Sequence, residues 1–174
     1  MSFYTDVIKK DPRFSSVNIC RDMALLEPSF RAKVQSLVAQ ASKDGHDIRI
    51  AETFRSQARQ AHLFEQGYTQ LKNVGVHNYG LACDFNLFID GVYQSDGAKY
   101  KFLHDYEKKF RIISGQLWGT PWQKHTFTDW DHIQGIPVFR QGSLFNGSWY
   151  PDNNYDPIAD TITHYGSVAT KYYG

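Results

Sequence analysis

Residues 77–93 read HNYGLACDFNLFIDGVY and carry the clearest structural signal in the chain. Leu81 to Ile89 predict a β-strand, and Asp90-Gly91 supplies a tight hairpin turn into Val92-Tyr93. Side chains alternate along a strand, so Asp84 lies on the face opposite to apolar neighbours such as Phe85. An ionised carboxylate in so apolar a segment is costly unless a cation or several hydrogen-bond donors compensate it. The stretch therefore predicts a strand with one face in the core and the other at a polar site.

Helices and further strands are predicted around this strand from apolar periodicity and turn-forming residues. They are a helix from Pro28 to Gly45, a strand over 47–53, a helix from Ser56 to about Gln66, a helix over roughly 98–113 and a short strand over 131–134. In this order they predict an α+β fold, a single compact domain whose small, mostly antiparallel sheet is flanked by helices. Beyond Pro137, turn formers such as Asp156-Pro157 stand between aromatic residues, and this tail is expected either to wrap the core or to form a small appendage.

Composition excludes several classes of protein. The chain has 174 residues with 41% hydrophobic and 21% charged residues, as is usual for a globular domain. A formal net charge of +1 gives no support to a nucleic-acid or membrane-surface partner. Two cysteines, Cys20 and Cys83, are expected to stay reduced, and no apolar run is long enough to span a membrane. The charged start, residues 1–14, lacks a secretory signal, so we expect synthesis in the cytoplasm.

A second cluster of polar residues, Asp129-Trp130-Asp131-His132, leads into the short strand near residue 132. With His77 and Asp84, His132 completes a set of two imidazoles and one carboxylate, which suits a single zinc ion and leaves a fourth position for water. Such a centre also needs a carboxylate that is not a ligand, to take the proton of the water and return it to a leaving amine. Asp129 is the first choice for that role and Asp131 the alternative.

These segments resemble the zinc D-Ala-D-Ala carboxypeptidase and L-alanyl-D-glutamate endopeptidase family, and most of all its phage endolysin branch. That family shows Ser-x-His-x-x-Gly-x-Ala-x-Asp followed by Glu/Asp-x-x-His, and the resemblance covers roughly residues 28–134. By resemblance, His77, Asp84 and His132 match the zinc ligands, and Asp129 matches the catalytic acid/base. The catalytic domain would then be residues 1–136, with 1–27 as a lead-in, and residues 137–174 would be a C-terminal extension packed on the same domain.

Two further segments fit the family and two positions depart from it. Thr53-Phe54-Arg55-Ser56-Gln57 resembles the segment ahead of the zinc motif, and the resemblance implies that Arg55 holds the substrate carbonyl or its developing oxyanion. Leu117 to Trp122 resembles the Trp-Gly-Gly-x-Trp stretch of endopeptidase members. Gly75 replaces the serine of the first motif, which leaves the peptide preference open, and Thr120 replaces the second glycine of the tryptophan motif.

The resemblance implies a zinc-dependent endolysin that cleaves the peptidoglycan stem peptide, preferably at the L-Ala–D-Glu bond, and acts as a monomer on the cell wall. The alternatives are a D-Ala-D-Ala carboxypeptidase and a non-catalytic zinc module that binds the wall or a protein. Plainer roles also stay open for single residues: Arg55 as a helix-start ion pair, Asp129 as a solvated turn residue and Asp84 as a structural hydrogen-bond acceptor. Trp118, Trp122 and Trp130 either shape a substrate groove or pack in the core.

Overall fold

Strand β2 (Ala82–Ile89) is the centre of the sheet in the computed structural model, which describes residues 2–174. Its neighbours are β1 (Asp47–Glu52) on one side and β5 (His132–Gln134) on the other, and β4 (Ile113–Ser114) pairs with β5. The predicted hairpin is present, since β3 (Val92–Tyr93) pairs with the end of β2. All pairings are antiparallel.

Helices surround this sheet. Within residues 2–174 the α-helices are α1 (Phe3–Asp6), α2 (Pro28–Lys43), α3 (Gln57–Glu65), α4 (Lys101–Asp105), α5 (Glu107–Phe110), α6 (Gln141–Phe145), α7 (Pro157–Tyr165) and α8 (Ser167–Tyr173). The architecture is the predicted α+β fold with a small antiparallel sheet, and the prediction is confirmed. No helix in the described part of the chain is both long and apolar enough to cross a membrane.

Helix α2 supplies one wall of the main core. Pro28 occupies its first turn, where a missing N–H costs nothing, and the Glu27 carboxylate caps the helix by accepting the Phe30 N–H at 2.8 Å. One stripe of the helix, including Val34 and Leu37, is fully buried, as the apolar spacing predicts. The helix packs against β1, so this core lies directly behind the strand that precedes Arg55.

The prediction of one long helix over residues 98–113 is wrong. The segment forms a 3-10 turn, α4 and α5, and the last of these ends at Arg111, whose φ of 54° is left-handed. Ile112 is buried in the main core and Ile113, with which strand β4 begins, is buried against Tyr173, so the two adjacent side chains pack in different clusters, as the alternation along a strand allows. The apolar periodicity therefore extends across a helix end into a strand.

Residues beyond Pro137 pack against the rest of the chain. Aromatic side chains of this segment, including Trp149 and Tyr150, contact the main core, and Tyr173 clusters with Ile113 of β4. The interpretation of Asp156-Pro157 as a turn is wrong: Asp156 caps α7 by accepting the N–H of Ile158 at 2.9 Å, and Pro157 is its first residue.

Candidate active site

Strand register and one short turn bring together the three predicted metal ligands. Asp84 of β2 and His132 of β5 are directly opposite each other in the antiparallel ladder. His77 comes from the 3-10 turn Val76–Tyr79 that leads into β2. Asp84 Oδ1 lies 3.1 Å from His77 Nε2 and 2.9 Å from His132 Nδ1, and the ligating atoms of the three residues all lie within 4.8 Å of one another.

Each imidazole is oriented by a hydrogen bond from its other ring nitrogen. His77 Nδ1–H donates to the Thr53 carbonyl oxygen at 2.7 Å. His132 Nε2–H donates to Gln134 Oε1 at 3.1 Å, and the Gln134 amide nitrogen in turn donates to the Ile136 carbonyl at 2.6 Å, which fixes the direction of that side chain. Because both acceptors are oxygens, the neutral rings present lone pairs towards Asp84.

Three electron-pair donors therefore converge on one point, and this arrangement suits a divalent cation. Ligands about 2.0 Å from a tetrahedral zinc ion are separated by roughly 3.3 Å, close to the two separations from Asp84 Oδ1. Burial alone would raise the pKa of Asp84, but His77 and His132 hold it well below its ordinary value. Burial likewise opposes a charge on His132, yet the hydrogen bond that its protonated ring donates to Asp84 raises its pKa to about 9. The site is built to hold positive charge, and its residues fit a metal ion.

Arg55 lies against the same carboxylate. Its Nη2 is 3.3 Å from Asp84 Oδ2, the oxygen that does not face the histidines. The guanidinium is held by the Glu52 carboxylate, with Nε at 2.9 Å, and by Gln60 Oε1, which is 3.2 Å from Nη1. Arg55 therefore has the ion pair of the plainer interpretation and also a position beside the predicted metal ligands.

Gln60 also accounts for the departure at Gly75. A Cβ atom at position 75 would lie 3.2 Å from Gln60 Oε1, so the amide group of Gln60 fills the space next to this glycine. Gln60 is 1% exposed, and its amide nitrogen donates to Thr69 Oγ1 at 3.1 Å. The oxygen that faces Gly75 is thus the oxygen that holds Arg55.

Asp129 and Asp131 both line the cavity next to His132. The Asp129 N–H donates to the Gly115 carbonyl and the Gly115 N–H donates to the His132 carbonyl, each at 2.8 Å. Burial raises the pKa of Asp131 to about 8, and the charges of Asp84 and Asp129 add to the rise. A carboxyl group with a raised pKa therefore lies in the same cavity as Asp129, a suitable arrangement for acid/base chemistry.

Gly115 is a site residue that the sequence analysis missed. A Cβ atom there would meet the Asp129 carbonyl oxygen and would lie 2.9 Å from Asp129 Cβ and 3.1 Å from His132 Cβ. Only glycine lets β4 approach the segment that carries both residues. The orienting residues Thr53 and Gln134 were also missed, although Gln134 is two positions after His132 and so shares its strand face.

The cavity has a volume of about 570 Å³ and an aromatic wall. The Trp118 ring is centred 5.4 Å from the His132 ring and stacks on Phe127 at 6.0 Å. Trp118 lines the cavity, whereas Trp122 packs edge-on against Tyr165 and Tyr173 in the C-terminal cluster. Cys83 is a buried free thiol whose pKa is raised by burial, so it behaves as a small apolar residue.

Comparison with known proteins gives relatives in sequence and in fold. No protein-family model matches the chain. The chain is 31% identical over 141 residues to the peptidoglycan L-alanyl-D-glutamate endopeptidase CwlK of Bacillus subtilis. The alignment covers 70% of this chain and 82% of CwlK. Its fold is similar to that of the L-Ala D-Glu endopeptidase ChiX of Serratia marcescens (TM-score 0.54, 18% identity, 69% of this chain and 86% of ChiX). It is also similar to an L,D-carboxypeptidase, DacB, from Streptococcus pneumonia (TM-score 0.50, 16% identity, 81% and 77%).

Proposed function

The chain belongs to the zinc D-Ala-D-Ala carboxypeptidase and L-alanyl-D-glutamate endopeptidase family, a family of peptidoglycan peptidases, and we propose that it hydrolyses the L-Ala–D-Glu bond of the stem peptide with one zinc ion. The observation that carries this proposal is the convergence of His77, Asp84 and His132 at the wall of a cavity that also holds a pair of carboxyl groups. The preference for this bond is supported by the 31% identity to an enzyme named for it.

His77, Asp84 and His132 would hold the zinc ion. When bound, zinc lowers the pKa of a coordinated water towards ~7 and polarises a carbonyl group. Thr53 and Gln134 keep His77 and His132 in the tautomers that can bind it. The protein's own groups then have to move one proton and stabilise one developing negative charge.

Asp129 is the group proposed to move the proton. Its carboxylate accepts a proton from the attacking water and returns it to the amine of the leaving D-Glu. Arg55 is proposed to donate hydrogen bonds to the oxygen of the scissile carbonyl, where negative charge develops. Its contacts with Glu52 and Gln60 pre-orient the guanidinium, so little conformational entropy is lost when substrate binds.

Defined muropeptides with product identification by mass spectrometry test the proposed bond. A product with a new N-terminal D-Glu is expected. Free D-Ala as the product would contradict the endopeptidase assignment and support the carboxypeptidase alternative. Asp129→Asn should lower kcat by about 10²- to 10⁴-fold, the range for loss of a general acid/base. Its zinc content should stay at one ion per chain.

Asp131→Asn is the matched control because Asp131 lies in the same cavity two residues away. A larger loss of kcat in Asp131→Asn than in Asp129→Asn would assign the proton transfer to Asp131. Full activity of Asp129→Ala would remove Asp129 from the proton transfer, whereas no cleavage of any muropeptide by zinc-loaded wild-type protein would support the non-catalytic zinc module.

The finer biological assignment is a phage endolysin that acts as a monomer on the wall of a bacterial host. It is supported by the resemblance of the two metal-binding segments to the endolysin branch. The purified protein should lyse chloroform-treated Gram-negative cells, and size-exclusion chromatography with light scattering should give the mass of a single chain. Cleavage of muropeptides without lysis of such cells would remove the endolysin assignment and leave the peptidase.

A further inference from the structure

Glu52 lies between two arginines at the edge of the active-site cavity. Its Oε2 accepts hydrogen bonds from Arg55 and its Oε1 accepts one from Arg59 Nε at 3.0 Å. The side chains of Glu52, Arg55 and Arg59 are 7%, 11% and 15% exposed, so all three are largely shielded from water. One carboxylate therefore serves two guanidinium groups at the cavity wall; Arg55 has a second anion in Asp84, whereas Arg59 has the shared Glu52.

The two arginines differ in how fully they are bonded. All three guanidinium nitrogens of Arg55 have partners, in Glu52, Gln60 and Asp84. Arg59 has one side-chain hydrogen bond, from Nε to Glu52; within residues 2–174 neither of its terminal nitrogens has a partner. No buried side-chain nitrogen lacks a partner in that part of the chain, so the two terminal nitrogens of Arg59 are reachable from the cavity.

We propose that Arg59 is a specificity-determining residue that binds a free carboxylate of the stem peptide, the α-carboxylate of D-Glu. This proposal rests on the proposed function. A planar guanidinium with two free terminal nitrogens matches a carboxylate in a bidentate geometry, and the bound anion compensates the charge of Arg59, which otherwise shares Glu52 with Arg55.

The chemistry of the substrate indicates which side of the scissile bond supplies the anion. The amine released by cleavage is on the same carbon as the α-carboxylate of D-Glu, so this anion is close to the reacting atoms. On the other side, L-Ala is joined through its amino group to the lactyl carbonyl of the glycan, which leaves no anion there. The contact of Arg55 with the metal ligand Asp84 places the arginine pair beside this part of the site.

The test compares two muropeptides that differ at D-Glu alone, one with the α-carboxylate and one with the α-carboxamide. Wild-type protein should cleave the carboxylate substrate with a kcat/KM about 10- to 100-fold higher, because the amide leaves the positive charge uncompensated. In Arg59→Gln the ratio of the two kcat/KM values should fall towards one, mainly through a higher KM for the carboxylate substrate. Arg59→Lys, which keeps the charge without the bidentate geometry, should retain part of the preference.

Arg49→Gln is the matched control, because Arg49 is an exposed arginine on β1 that pairs with Asp47 outside the cavity. It should keep the wild-type ratio, and circular dichroism should show that all variants are folded. A third substrate keeps the α-carboxylate of D-Glu and has an amide in place of the free carboxylate of the next stem residue. If kcat/KM falls with this third substrate and not with the D-Glu carboxamide, the assignment to D-Glu is overturned.

Two other results would also overturn the proposal: equal cleavage of the first two substrates by wild-type protein, or an equal loss on both in Arg59→Gln. Failure of wild-type protein to cut either substrate at L-Ala–D-Glu would reject the proposed function itself.

Discussion

Replacing Gly115 by alanine should impair catalysis while leaving the fold intact. The added Cβ would lie 2.9 Å from Asp129 Cβ, whereas non-bonded carbons ordinarily approach to about 3.5 Å, so the Asp129 segment must move by about 0.6 Å or more. The same atom would lie 3.1 Å from His132 Cβ, so the displacement reaches a proposed metal ligand as well. A misplacement of this order should cost about 10- to 100-fold in kcat/KM. The strain should lower the free energy of unfolding by about 1–3 kcal/mol.

The measurement is muropeptide hydrolysis at saturating zinc, with thermal unfolding recorded on the same sample. Gly142→Ala is the matched control: Gly142 is in helix α6, and a Cβ there meets nothing within 4 Å. That variant should keep wild-type kcat/KM and be equally or slightly more stable, since alanine favours a helix over glycine. Wild-type kcat/KM in Gly115→Ala would refute the argument that close approach of β4 positions Asp129.

Two further predictions concern metal affinity and acid stability. Gln134→Leu removes the acceptor of the His132 Nε2–H and should weaken zinc binding by about 10- to 100-fold, measured by chelator competition. Gln134→Glu keeps an acceptor and should have a zinc affinity closer to that of wild type. Equal affinity in all three proteins would contradict the orienting role of Gln134. Burial would raise the pKa of Asp160, but Arg140 and the Tyr155 hydroxyl hold it below its ordinary value. Its contribution to stability is therefore complete above the ordinary carboxyl pKa of about 4 and is lost progressively as the pH falls below that value. Asp160→Asn should therefore unfold more easily by about 1 kcal/mol at pH 7 and by less at pH 3, and an equal difference at both values would contradict this reasoning.

Local pattern suffices to predict the elements nearest the site. Alternation of apolar and polar residues predicts β2, because one face of that strand fills the core, and Ser56 marks the start of α3 by accepting the Arg59 N–H at 2.9 Å. Convergence of His77 with Asp84 also agrees with the sequence, since the two are joined by one short turn and a few residues of strand.

What local pattern does not contain is the contact between distant segments. Glu52 is directly opposite Asp84 in the β1–β2 ladder, and nothing near residue 52 indicates that pairing. Gly115 is required by residues 14 and 17 positions further along the chain. The helix predicted to continue to Ile113 fails for the same reason: its end depends on the pairing of Ile113 with Gln134.

Because Asp84 of β2 lies directly across from His132 of β5, both residues can bind one zinc ion only when the two strands pair in this register. Sliding β5 by one residue along β2 would turn the imidazole to the opposite side of the sheet, and a shift by two would carry it roughly 7 Å along the strand. A chain with the wrong strand register would therefore have no zinc centre. Zinc binding would stabilise the native register relative to the misaligned ones. Stoichiometric zinc in a preparation is, on this account, a measure of how many molecules have their sheet assembled correctly.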